Sequence, residues 1–142
     1  MMITLKGLNS QLVVEVVKRK NENSKDFWDA NWLASKVEIF TSNFNAKLFI
    51  YLRSDDFERF LDSSENGENS NYIFNTVEET LFFKISNEET YVTGTIKDIE
   101  ELNSLDFTFD TTKQDIEKFI DEVELLIAQF PVRGKENVPP ND

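Results

Sequence analysis

The chain contains no histidine and no cysteine, and these are the side chains that most enzymes use as general bases, nucleophiles and zinc ligands. Hydrolases built on Ser-His-Asp or Cys-His pairs are therefore excluded. The chemistry that remains is a metal site made wholly of carboxylates, or a base formed by an Asp, Glu or Lys with a perturbed pKa.

Asp106 and Asp110 are the best candidates for such a carboxylate site. They flank Thr108 with a period of two, which places all three on one face of a strand. Two carboxylates on one face could hold Mg²⁺ or Ca²⁺. Neither a calcium-loop pattern nor a Gly-rich phosphate loop accompanies them, so we favour a solvated strand face and expect no metal and no cofactor.

Paired acidic residues are the second pattern, and they dominate the charge of the chain. The net charge is −12; residues 54–124 hold 20 acidic and five basic side chains (−15), whereas residues 1–53 are at +3. Such a field repels nucleic acid and anionic membranes, and it steers basic partners inward. A solvated surface is the alternative interpretation. The doublets that we predict to contact a basic protein partner are Asp55, Asp56, Glu78, Glu79, Glu88, Glu89, Glu100 and Glu101.

Both tryptophans lie within five residues, in the stretch Trp28-Asp29-Ala30-Asn31-Trp32. One interpretation is an aromatic anchor for a partner, because Trp is enriched at interface hot spots. The other is that the two rings fill the core while Asp29 and Asn31 bind loop amides. We favour the second, and take Trp28, Asp29, Asn31 and Trp32 as a structural motif.

The elements that must position these residues are mostly short strands. Ser54 supplies a capping side chain for a short helix near 55–62, and Thr112 begins a long amphipathic helix near 112–130 with Asp115 at capping-box spacing. We therefore predict an α+β fold: an antiparallel, twisted sheet of about seven or eight strands with the long helix packed on one face. Alternating or β-branched runs predict strands at 3–6, 11–18, 36–40, 46–52, 72–74, 81–85, 91–96 and 105–109.

The same residues suggest how the chain is organised. We expect residues 1–131 to form a single globular domain and residues 132–142 to form a flexible C-terminal tail, because Pro131 ends the helix. The N-terminus shows no signal-peptide pattern and no apolar run is long enough for a membrane helix, so we expect a cytoplasmic protein.

The order of these parts resembles the WapI family of bacterial immunity proteins. The most specific matching stretches are Trp-Asp-x-Asn-Trp-Leu at 28–33 and Phe-Pro-Val-Arg-Gly at 130–134, and the resemblance covers about residues 2–134. It implies a cytosolic antidote, encoded beside a large cell-wall-associated toxin whose C-terminal domain can be a tRNA-cleaving nuclease. It implies no catalytic residues, and the shared stretches are expected to hold the fold.

We therefore expect a monomeric, non-enzymatic immunity protein that neutralises a cognate toxin C-terminal domain by direct binding through its acidic surface. Binding to nucleic acid or to a membrane is not expected. Two alternatives stay open: a metal-binding regulator based on carboxylates, and a non-catalytic scaffold subunit.

Overall fold

The computed structural model describes residues 1–64, 71–98, 100 and 102–136. Most of the strands and both longer helices lie where the hydrophobic periodicity predicts them. Within these ranges the elements are β1 (Met2–Lys6), β2 (Gln11–Arg19), α1 (Phe27–Ala30), β3 (Trp32–Phe40), β4 (Asn45–Arg53), α2 (Ser54–Asp62), β5 (Asn71–Asn75), β6 (Leu81–Ser86), β7 (Tyr91–Asp98), β8 (Asn103–Asp110) and α3 (Lys113–Gln129).

The eight strands form two antiparallel sheets of four. The first sheet has the order β1-β2-β3-β4 and the second the order β5-β6-β7-β8, so every strand pairs with its neighbour along the chain. This confirms the α+β class and the strand count. The strands divide between two sheets because α2 and the residues after it separate β4 from β5, which interrupts the series of hairpins.

Alternate residues of the strands bury a common core between the sheets and the helices. In the first sheet the pattern is regular: Leu33, Ser35, Val37 and Ile39 of β3 are buried, and the residues that alternate with them are half-buried. The ring of Phe60 on α2 joins the layers, since its centroid lies 5.6 Å from that of Phe83 on β6 and 5.8 Å from that of Phe119 on α3.

Helix α3 closes the outer edge of the first sheet. Its predicted cap is confirmed, because Thr112 Oγ1 accepts a hydrogen bond of 3.0 Å from the backbone N–H of Asp115. The helix packs along β1, and Glu122 Oε1 accepts a hydrogen bond of 3.1 Å from the backbone N–H of Thr4. None of the helices in the described part of the chain is long and apolar enough to cross a membrane.

Helix α2 begins differently from the prediction. Its N-cap residue is Arg53, and Asp56 accepts the backbone N–H of Arg53 at 2.8 Å. Ser54 lies inside the first turn, and its buried hydroxyl has no hydrogen-bond partner within the described residues. The carboxylate of Asp56 therefore does the capping that we expected of the serine.

Candidate functional site

The first acidic doublet, Asp55-Asp56, is buried beneath two arginines and is not part of an acidic surface. Asp55 accepts hydrogen bonds of 3.0 Å from Nε of Arg53 and 2.7 Å from Nη1 of Arg59, and Asp56 also pairs with Arg59. Only 2% of Asp56 is exposed. A partner cannot reach these carboxylates in this structure, so both residues leave the predicted contact set.

Burial sets the protonation of Asp56 despite its cationic neighbours. Desolvation raises the pKa of this carboxyl from 3.8 to about 6, against the opposing effects of the Arg53 backbone N–H and the Arg59 guanidinium. The position of the group at the start of α2 and its two partners indicate a structural part in the fold.

The doublets Glu78-Glu79 and Glu88-Glu89 are exposed, but they lie at opposite ends of the second sheet. Glu88 and Glu89 occupy the turn between β6 and β7. Glu78 and Glu79 occupy the turn between β5 and β6, which lies at the other end because consecutive antiparallel strands reverse direction. The sequence alone does not separate these two pairs, and the topology does.

The turn between β7 and β8 shares the end of the sheet that holds Glu78 and Glu79. It contains Glu100, and Asp98 closes β7 beside it; the predicted contact residue Glu101 lies outside the described residues. Glu78, Asp98 and Glu100 line one groove. We call the group Glu78, Glu79, Asp98 and Glu100 the acidic rim.

Exposed apolar side chains lie within the same two turns. Val77 precedes the rim residues of the first turn, and Leu102, which is 90% exposed, follows those of the second. Leu102 and Glu79 have φ angles of 58° and 57°, a left-handed conformation that costs a residue with a Cβ atom about 1 kcal/mol or more. Thr90, in the turn at the opposite end of the sheet, has a similar φ of 52°, so this conformation does not distinguish the two ends. The exposed apolar area joined to charge is what indicates a binding surface.

The groove next to the acidic rim runs along β4 and has a volume of about 410 Å³. Its β4 side carries Phe49, which is 76% exposed, and Tyr51, which is 43% exposed. Sequence reasoning predicted β4 as a strand but missed this surface, because alternation shows that Phe49 and Tyr51 share one face of the strand and not whether another layer covers that face. The residues that line the groove are Lys47, Leu48, Phe49, Ile50, Tyr51, Glu78, Thr80, Lys97, Asp98 and Glu100.

The tryptophan motif surrounds a buried arginine. The stretch forms α1 and the start of β3, and the guanidinium of Arg53 lies 5.0 Å from the Trp28 ring and 4.7 Å from the Trp32 ring. Arg53 also donates hydrogen bonds of 2.8 Å to the backbone carbonyls of Phe27 and Trp28. Trp28 is 47% exposed and Trp32 is half-buried, so the rings cover Arg53 instead of filling the core.

Asn31 and Asp29, the polar residues of the motif, bind neighbouring segments. Asn31 is fully buried; its Oδ1 accepts a hydrogen bond of 2.9 Å from the backbone N–H of Arg133, and its Nδ2 donates one of 3.0 Å to the carbonyl of that residue. Asp29 accepts from the side-chain amide of Asn21 at 2.9 Å. Arg19 donates to the carbonyls of Ala30, at 2.8 Å, and Pro131.

These bonds hold the start of the predicted tail. We expected a flexible segment from residue 132, whereas Arg19 binds Pro131, Asn31 binds Arg133, and Gly134 lies against Lys25 and Phe27 with a φ of 74°. A Cβ atom at Gly134 would come within 2.8 Å of the Lys25 carbonyl oxygen. Residues 137–142 lie outside the described residues.

Asp106 and Asp110 do not form a metal centre. Asp106 accepts a hydrogen bond of 2.7 Å from the Thr95 hydroxyl, and four residues of extended strand put the two carboxylates roughly 13 Å apart. Among the residues that the structure describes, no group of three or more acidic side chains is placed to hold a metal ion.

Most of the negative charge lies in the later part of the chain. All four strands of the first sheet lie within residues 1–53, at +3, whereas α2, the second sheet and the charged residues of α3, which packs along β1, lie within residues 54–124, at −15. The acidic rim lies at one end of the second sheet, beside the exposed aromatic residues of β4.

Comparison with known families identifies the chain. The model of the immunity protein WapI-like family matches residues 2–131. The chain belongs to this family. An immunity protein protects by binding a cognate toxin, and the predicted family is thereby confirmed. No curated protein and no solved structure matches the chain.

Proposed function

We propose that this immunity protein binds the basic C-terminal domain of its cognate toxin through the acidic rim and neutralises it as a one-to-one complex. The toxin domain is a tRNA-cleaving nuclease, and the antidote acts in the cytoplasm as a monomer, without catalysis of its own. The single observation that carries the proposal is the union of acidic and exposed apolar side chains in two turns at one end of the second sheet.

A nuclease supports this choice of partner because it needs a positively charged groove for phosphates. A dense carboxylate surface competes for such a groove and is steered towards it by long-range attraction. The apolar side chains Val77 and Leu102 add the desolvated contacts that hold a complex after the encounter.

A second acidic surface exists on α3, where Glu117, Asp121 and Glu124 are exposed at helical spacing. Leu125 is the single large apolar side chain exposed on α3, and the backbone there is regular helix. A solvated helix face accounts for this pattern, whereas solvation alone does not account for the exposed apolar side chains Val77 and Leu102 beside the rim carboxylates. We therefore assign the contact to the rim.

The acidic doublets allow a matched charge-reversal test. One variant carries Glu78→Lys and Glu79→Lys in the rim; the control carries Glu88→Lys and Glu89→Lys at the opposite end of the sheet. Each pair changes the net charge by the same +4, so the long-range field is altered equally. Binding is measured by calorimetric titration against the toxin domain encoded beside this chain, made as an inactive variant.

We expect the rim variant to weaken the Kd by about 100-fold, since two like charges then face the basic groove, and the control to change it by less than about fivefold. Equal loss in both variants would show that only the overall field matters. A tight wild-type complex that both variants retain would move the contact away from the rim, and the same reversal at Glu117 and Asp121 would then test α3.

A further inference from the structure

Strand β4 has an open backbone edge. In the β3–β4 ladder the Thr41 N–H bonds the Phe44 carbonyl and the Ser54 N–H bonds the Asn31 carbonyl, so even-numbered residues of β4 direct their backbone groups at β3. Odd-numbered residues direct theirs outward. Arg53 N–H is bound by Asp56, but no hydrogen bond within the described residues engages the outward N–H groups of Lys47, Phe49 and Tyr51.

The inner face of β4 is also incompletely covered. Leu48 lies opposite Val37 on β3; Val37 is fully buried, whereas Leu48 is half-buried. Ile50 is likewise half-buried, and both side chains line the groove of about 410 Å³ beyond the strand. The core is therefore partly uncovered at this edge, because the inward residues of a central strand are covered by a neighbouring strand on each side and those of β4 are not.

The shape and length of the gap suit an extended chain. Strand β4 runs for nine residues, and a strand added to its edge would cover Leu48 and Ile50 on the inner face and Phe49 and Tyr51 on the outer face. Its backbone would satisfy the free N–H and C=O groups, which is how sheets capture extended peptides.

Charge decides between the possible occupants. A second copy of this chain also carries −12 and would be repelled as a whole. Among the charged residues that line the groove, Glu78, Asp98 and Glu100 outnumber Lys47 and Lys97. A basic segment that meets the three carboxylates matches this excess, and a copy of the chain does not.

We propose that an extended, basic segment of the toxin domain pairs with the outer edge of β4 and extends the first sheet to five strands. This rests on the proposed function, because it names the element through which the toxin is held. The acidic rim then orients the segment, and Leu48 and Ile50 receive its apolar side chains.

The direct test is amide hydrogen exchange on wild-type protein, free and saturated with the inactive toxin domain. We expect the N–H groups of Lys47, Phe49 and Tyr51 to slow by at least about tenfold on binding. The N–H groups of Glu88 and Glu89, at the remote turn, serve as the control and stay unchanged. A complex that leaves the three β4 groups unprotected would overturn the proposal while leaving the proposed function intact.

A paired substitution supplies the second test. Lys47→Pro removes one outward N–H without removing a bond to β3, as edge strands allow, whereas Lys47→Ala removes the same side chain and keeps the N–H. We expect a Kd at least about tenfold weaker for the proline variant than for the alanine variant. Equal affinities of two folded variants would contradict strand pairing, and if the proline variant does not fold, the exchange result decides.

Absence of any complex with the wild-type protein would reject the proposed function itself, and the strand-pairing inference with it. The wild-type titration therefore tests whether the toxin domain is bound at all, and the exchange and substitution experiments test whether it is bound by strand pairing at β4.

Discussion

At the scale of single residues, the burial of an acidic doublet is set by its surroundings in the fold and not by its sequence. Asp55-Asp56 and Glu78-Glu79 are both acidic doublets, yet the first pair is buried against Arg53 and Arg59 and the second is exposed in a turn. The sequence predicted that α2 begins near residue 55. It could not predict the burial, because that depends on Arg53, which the rings of α1 and β3 cover only in the folded chain.

The buried carboxyl of Asp56 makes stability depend on pH. Its pKa is about 6 in the folded chain and 3.8 in the unfolded chain, so the folded state holds the proton more tightly. Protonation of Asp56 therefore stabilises the folded state; this contribution is fully present below about pH 4 and is lost as the pH rises to about 6. A pKa difference of about two corresponds to about 3 kcal/mol.

We expect urea unfolding of the wild type to lose about 2–3 kcal/mol relative to Asp56→Asn between pH 4 and pH 6.5, because the asparagine cannot titrate. Asp121→Asn, which removes an exposed carboxylate from α3, is the control and should follow the wild type. A constant difference between wild type and Asp56→Asn across this range would contradict the assignment.

At the scale of elements, a four-residue helix is held in place by side chains from distant parts of the chain. The backbone carbonyls of α1 accept hydrogen bonds from the side chains of Arg19, Asn31 and Arg53. These bonds satisfy carbonyls that have no partner within so short a helix, which could not form stably by itself. Periodicity cannot predict such a helix, since four residues hold no repeat. The tryptophan stretch was predicted to be structural, and its geometry is consistent with that interpretation.

The C-terminal segment completes this arrangement, so its removal should destabilise the protein. A chain ending at Phe130 loses the two bonds between Asn31 and Arg133 and the bond from Arg19 to the Pro131 carbonyl. We expect the free energy of unfolding to fall by about 2–4 kcal/mol, because buried polar groups of Asn31 and Arg19 lose their partners. Urea denaturation followed by tryptophan fluorescence measures this.

A chain ending at Gly134 is the matched control, because it keeps all three bonds. It should unfold within about 0.5 kcal/mol of the full chain. Equal destabilisation by both truncations would show that the stabilising contacts lie beyond residue 134.

The sequence predicted about seven or eight strands in one sheet, and their division into two sheets of four is the main feature of the fold that periodicity did not supply. The alternation of β4 and β5 predicts strands, but it carries no information about whether they pair with each other. The turn chemistry between 62 and 71 predicted a loop, most of which lies outside the described residues; α2 follows β4 directly along the chain, before β5 begins the second sheet. The open edge of β4 follows from that break.

At the scale of the whole molecule, the separation of charge has a kinetic consequence. Residues 54–124, at −15, would attract a basic partner such as the proposed toxin domain over distances that exceed direct contact. Dissolved salt screens such an attraction beyond about 10 Å at 0.1 M. The apolar contacts that hold the bound state are not screened in the same way.

We therefore expect the association rate with the toxin domain to fall by about tenfold or more between 0.05 and 0.5 M NaCl, while the dissociation rate changes by less than about threefold. Stopped-flow fluorescence measures both rates. The control doublet variant Glu88→Lys/Glu89→Lys should show a shallower salt dependence with an unchanged dissociation rate. A dissociation rate that rises as steeply as the association rate falls would place the charges within the bound interface alone.

The bond between Thr4 and Glu122 limits how far assembly through the first sheet can proceed. One border of that sheet is closed by α3, so a strand that pairs at β4 finds no second border through which a further copy could join. Addition of strands to the first sheet would therefore stop after one strand has paired with β4. The same sheet can thus capture a foreign strand at high concentrations of protein without polymerising into fibres.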